Sequence, residues 1–144
     1  MGVVQNYNVG GWIDEIKKIN FPPHLFPSLS TPFTKGFTIP VPAVPGTYQL
    51  SYTLPEDMEL VNVAVACSGY KDGDTWEVSV EEPGKPAYKI VETMPTRELA
   101  ESINMGNVLY IVLRLPAGTI IRFDFINSSG TSKNVWPSIR LLRK

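Results

Sequence analysis

An all-β chain, folded as an antiparallel sandwich of jelly-roll type, is the fold the sequence predicts. Three observations carry this. Apolar residues alternate with polar ones over most of the chain beyond residue 47. Turn residues punctuate those runs at short, regular intervals. The 144 residues are enough for a single sizeable core, with 43% hydrophobic and 19% charged residues and a formal net charge of −1.

The first part of the chain follows a different pattern. Trp12, Ile13, Ile16 and Ile19 recur at helical spacing, with Asp14 and Glu15 ahead of Lys17 and Lys18. That charge order suits the helix dipole and predicts a short amphipathic helix. Thirteen prolines are unevenly placed: Pro22, Pro23, Pro27, Pro32, Pro40, Pro42 and Pro45 fall in one stretch. Proline fixes φ and donates no backbone hydrogen bond, which excludes a helix interior or a central strand. Phe21, Leu25, Phe26, Phe33 and Phe37 interleave with these prolines. Residues 20–46 therefore read as an extended, partly polyproline-like arm that lies on its own domain or on a neighbour. Two parts follow, a helix and arm over residues 1–46 and a sandwich over 47–144.

Within the sandwich, Tyr48, Leu50, Tyr52 and Leu54 form the first period-two run. Val61, Val63, Val65 and Cys67 form the second, and Trp76, Val78 and Val80 the third. Tyr88 and Ile90 mark a short strand. Pro95-Thr96 with Leu99, Ile103 and Gly106 predicts one short helix. Residues 108–115 are apolar on both parities, so a central strand covered on both faces is expected. Ile121, Phe123 and Phe125 alternate with Arg122 and Asp124. Val135, Ile139 and Leu141 form the last strand, where Pro137 predicts an edge or a bulge. Lys71-Asp72-Gly73-Asp74, Pro83-Gly84, Pro116-Ala117-Gly118 and Ser128-Ser129-Gly130 supply the turns.

Chemistry-bearing patterns are sparse. One cysteine, Cys67, excludes an internal disulfide, and one histidine, His24, excludes multi-histidine metal chemistry. Cys67 takes the inward parity of its strand and His24 falls in the arm, so no nucleophile and base are placed together. Glu77, Glu81, Arg122 and Asp124 read as solvated sheet faces. Asp72-Gly73-Asp74 has two oxygen donors of the kind calcium takes, but a tight turn explains the same residues. Tyr70 and Trp136, near turns, are the candidates for stacking on sugar rings, with Asp72 and Asp74 beside them; Trp76 reads as core. No cofactor and no metal site is expected. The near-neutral charge predicts no nucleic-acid binding, and no apolar run is long enough for a membrane helix. No secretory signal is visible, which predicts a cytoplasmic site of synthesis and assembly.

Two stretches resemble a known group. These are Cys67-Ser68-Gly69-Tyr70-Lys71-Asp72-Gly73-Asp74-Thr75-Trp76-Glu77-Val78 and Asn127-Ser128-Ser129-Gly130-Thr131-Ser132-Lys133-Asn134-Val135-Trp136, the latter followed by a last strand. They resemble small β-sandwich modules of phage virion proteins (tail, baseplate or head-fibre type) from Gram-positive hosts, over residues 60–143. The resemblance implies a non-enzymatic structural or adhesion component of a phage or phage-like virion, homo-oligomeric and in contact with other virion proteins. The same texture is similar to carbohydrate-binding jelly rolls, which implies cell-surface polysaccharide as the alternative partner. An apolar arm needs cover, so Trp12, Ile16, Phe21, Leu25, Phe26, Phe33 and Phe37 are the expected oligomer contacts.

Overall fold

The computed structural model describes residues 27–69, 71–96 and 112–144. Among the described residues, nine strands run in chain order: β1 (Thr31–Gly36), β2 (Ile39–Val41), β3 (Gly46–Thr53), β4 (Met58–Cys67), β5 (Thr75–Glu81), β6 (Tyr88–Pro95), β7 (Leu113–Leu115), β8 (Ile120–Asn127) and β9 (Lys133–Arg143). They form two antiparallel sheets. One has the order β1–β9–β4–β7, with β2 also paired to β9; the other has the order β3–β8–β5–β6. The described residues contain no helix. The expected helices near residues 12–19 and 96–106 lie in segments 1–26 and 97–111, outside the described residues.

Alternation builds the core. β8 turns Ile121, Phe123 and Phe125 inward, and β5 turns Trp76, Val78 and Val80 beside them. The other sheet supplies Leu60, Val63, Val65 and Cys67 from β4, and Val135, Ile139 and Leu141 from β9. All are buried in one apolar cluster. Burying a side chain of this size is worth about 1.5–3 kcal/mol, so the shared cluster is the main reason the two sheets stay together.

Three elements differ from the sequence reading. Residues 31–41, which the sequence places in the arm, are strands paired to β9 within the domain. Their prolines sit where a sheet tolerates them: Pro32 and Pro40 lie on strands whose only partner among the described residues is β9. Phe37 closes this side, its ring 5.6 Å from Tyr52 and 6.2 Å from Phe123.

The second difference is Pro137. It lies in a strand paired on both sides, not at an edge. The reason is the break between β1 and β2. Pro137 faces that break, and its carbonyl accepts a hydrogen bond from Phe37 N–H at 2.8 Å. N–H and C=O of one strand residue point to the same side, so the nitrogen of Pro137 also faces the break. Only the bond that an N–H here would return to Phe37 is lost, and the bonds to β4 on the other side are untouched.

The third is the strand expected at 108–115. Its described part, β7, pairs with β4 over Met58–Leu60 and lies at the margin of the described sheet. Residues 108–111 of the expected strand lie outside the described residues.

Candidate functional site

The connections that converge at one end of the sandwich hold a buried polar cluster. The β4–β5 loop delivers Asp74, the β8–β9 loop delivers Ser129 and Thr131, Asn127 ends β8 and Lys133 opens β9. Lys133 and Asp74 form an ion pair with side chains 1% and 0% exposed. Ser129 donates twice to the same carboxylate, from its N–H to Oδ1 at 2.8 Å and from its hydroxyl to Oδ2 at 2.9 Å. Lys133 Nζ also lies 3.1 Å from Ser129 Oγ and 5.6 Å from the centroid of the Phe125 ring.

The neighbouring chain is pinned to this cluster. Asn127 Nδ2 donates to the carbonyls of Pro42, Val44 and Thr131 at 3.2–3.3 Å. Thr96 N–H donates to the Asp74 carbonyl at 2.9 Å. Three loops and the end of β6 thus share one set of hydrogen bonds. Burial alone would raise the Asp74 carboxyl, but the Lys133 ammonium and the two Ser129 donors outweigh it and hold the pKa below the ordinary value.

Beside this cluster, at the same end, an open groove of about 440 Å³ is lined by Pro40, Pro42, Ser68, Ser132 and Asn134 and reaches Lys133. Ser68 and Asn134 exchange two hydrogen bonds, each at 2.9 Å.

The opposite end has a second buried carboxylate. Glu59 takes Ser28 N–H at 2.9 Å, the Ser28 hydroxyl at 2.9 Å, Leu29 N–H at 2.7 Å and Arg114 Nε at 3.0 Å. Burial would raise its pKa; the Leu29 and Ser28 donors and the Arg114 guanidinium outweigh that and lower it. Glu59 sits on the outer face of its sheet and fastens residues 28–29 there.

A model for a domain of unknown function, DUF8551, matches residues 29–144. The chain belongs to this family. No curated protein matches it. Among solved structures, a chain from the acidic stable capsid structure of Helicobacter pylori bacteriophage KHP30 is similar at 15% identity and a TM-score of 0.49, over 80% of this chain and 90% of that one.

The DUF8551 domain separates the residues that the sequence grouped. Asp72 is exposed in the turn, where Gly73 adopts φ +94. Asp74 is buried and its carboxylate is engaged by Lys133 and Ser129. The two therefore do not converge, and no group of three or more metal-binding side chains occurs among the described residues. Trp136 is 42% exposed and lies on the outer face beside Ala66. Trp76 is core, and Cys67 is buried with Sγ 3.1 Å from the Gly69 carbonyl. Phe33 and Phe37 pack half-buried on their own domain's core. Tyr70, Trp12, Ile16, Phe21, Leu25 and Phe26 lie outside the described residues.

Sequence reasoning missed Lys133, Ser129 and Glu59. Lys133 had a signal: it shares the inward parity of Val135, Ile139 and Leu141. A lysine on the buried parity of a strand demands a buried acid.

Proposed function

We propose that this domain is a non-catalytic jelly-roll module of a phage or phage-like virion that assembles with copies of itself and with other virion proteins. Strand order carries the reading. With β1 and β2 counted as one interrupted strand, eight strands divide four and four, as β1–β9–β4–β7 facing β3–β8–β5–β6. Two Greek keys laid over one another have this order, and the architecture recurs in viral capsid and lectin domains. Fold does not dictate function; the resemblance of residues 60–143 to virion modules favours the particle over the other uses of the fold.

The self-association surface in this reading is β3 rather than the arm. Its eight residues, Gly46-Thr47-Tyr48-Gln49-Leu50-Ser51-Tyr52-Thr53, carry no charge. Its pairing to β8 runs without a bulge. Among the described residues nothing pairs with its other side. An unguarded edge of this kind is a template for another strand. A second β3 fits best. In an antiparallel pair centred on Leu50, Tyr48 would oppose Tyr52, Gln49 would oppose Ser51 and Thr47 would oppose Thr53. Apolar meets apolar and polar meets polar, with no like charges opposed.

Sedimentation velocity on the wild-type protein and on Gln49→Lys/Ser51→Lys tests this. The wild type should associate as concentration rises. The double variant, altered only at exposed positions of β3, should sediment as a monomer with unchanged thermal stability. A wild type that stays monomeric at high concentration overturns the proposal.

The exposure of Trp136 favours one second reading, a carbohydrate-binding module. A glycan array probed with the wild type and Trp136→Ala should then give a signal that the variant loses.

A further inference from the structure

We propose that Lys133 and Asp74 condense into an intramolecular amide that joins the two sheets covalently. The inference stands independently of how the domain assembles. Lys133 opens β9 in one sheet and Asp74 immediately precedes β5 in the other. Nζ is in direct contact with Oδ2, and both side chains are closed off from solvent. The ring of Phe125 covers the ammonium.

Two features go beyond what an ion pair needs. Ser129 N–H points at Oδ1 from 2.8 Å, where negative charge would develop when an amine adds to the carboxyl carbon. Ser129 Oγ lies between the reacting groups, 3.1 Å from Nζ and 2.9 Å from Oδ2, as a relay for the proton that must cross. Asn127 steadies the Ser129 loop through the Thr131 carbonyl and ties the β2–β3 connection to it through the carbonyls of Pro42 and Val44, with Oδ1 lying 3.2 Å from Ser129 Oγ.

The step balances without a co-reactant. A proton passes from the ammonium to the carboxylate, leaving a neutral amine and a neutral acid. The exchange runs uphill against the donors that hold Asp74 ionised, and burial lowers its cost because separated charges are poorly solvated there. The Nζ lone pair then attacks Cγ, a C–N bond forms, and Oδ1 takes the charge opposite Ser129 N–H. The surplus proton on nitrogen moves through Ser129 Oγ to Oδ2, the Cγ–Oδ2 bond breaks, and one water leaves. Holding both groups in contact supplies the large effective concentration that free lysine and aspartate lack. The donors that keep Asp74 ionised at rest make the first proton transfer the slow step, so the bond forms after folding.

Intact-mass spectrometry of the full chain decides the matter. The expected mass is that of the sequence less one water, after allowance for initiator methionine. Proteolysis should release a branched peptide joining Lys133 to Asp74. Lys133→Arg and Asp74→Ala should each restore the full sequence mass. Ser129→Ala should fold and lose the water more slowly. Should the variants fail to fold, the wild-type mass still decides: a folded wild type that keeps its full sequence mass after prolonged incubation, with no branched peptide, overturns the proposal.

Discussion

Glu59 gives up a proton more readily in the folded domain than in the unfolded chain, and so does Asp74 for as long as it has not condensed with Lys133. The sign of the pH dependence follows. A carboxyl with a lowered folded pKa contributes stability that is fully present above its unfolded pKa and is lost as pH falls towards the folded value. Denaturant midpoints measured from pH 7 down to pH 3 should therefore fall, and Glu59→Gln should flatten the curve. At pH 7 that variant should cost about 2 kcal/mol, because charge-assisted bonds from Ser28, Leu29 and Arg114 are weakened together. Hydrogen exchange should speed up at Ser28 and Leu29 in the same variant. Gly130 is constrained in another way. Its φ is +70, and an added Cβ would stand 3.2 Å from Pro45 Cγ. Gly130→Ala should lower stability by about 1–2 kcal/mol in urea unfolding. Of these positions, the sequence showed Gly130 as part of a turn and Asp74 as a turn residue and candidate ligand, and did not show Glu59. The buried roles of Glu59 and Asp74 were hidden because their partners lie 30 to 59 residues away.

Strand elements were legible where one face is buried and the other is not. β3, β5 and β8 alternate cleanly, and the sequence located all three to within a residue or two. β1 and β2 were hidden by their prolines, which exclude a central strand but not one paired on a single side. Pro137 misled for a related reason: its tolerance depends on a break in a neighbouring strand a hundred residues earlier. The two edges of the second sheet are treated differently. β6 shifts register twice against β5 and carries Lys89 and Glu92, with Lys89 bridging to Glu77 at 3.1 Å. At one irregularity Thr93 takes φ +51, an uncommon conformation for a β-branched residue. Thr93→Asn, which tolerates that conformation, should stabilise by about 0.5 kcal/mol in thermal or urea unfolding. Bulges and charges of this kind block a further strand, whereas β3 has neither.

At the scale of the whole molecule, the sequence identified a sandwich with a shared core and placed its beginning too late. Period-two alternation identifies strands, but it does not say which strands are neighbours. The cluster of Lys133, Asp74 and Ser129 depends on that neighbour relation, as does the role of Phe37, which closes the gap between the sheets. Phe37→Ala should cost about 2–3 kcal/mol in equilibrium unfolding, from lost contact with Tyr52 and Phe123. It should also quicken amide exchange along β1 and β2, whose hold on the core it shares with Phe33, Ile39 and Val41.

Antiparallel pairing brings Thr31 directly opposite Arg143. A tether attached to each of these two positions would pull them apart like the tabs of a zipper, opening one rung of the β1–β9 ladder at a time rather than loading all rungs at once. The domain should therefore yield to weak tension along that route. For the same reason a short loop joining the two positions, with new ends cut elsewhere, should give a permuted chain that reaches the same native form.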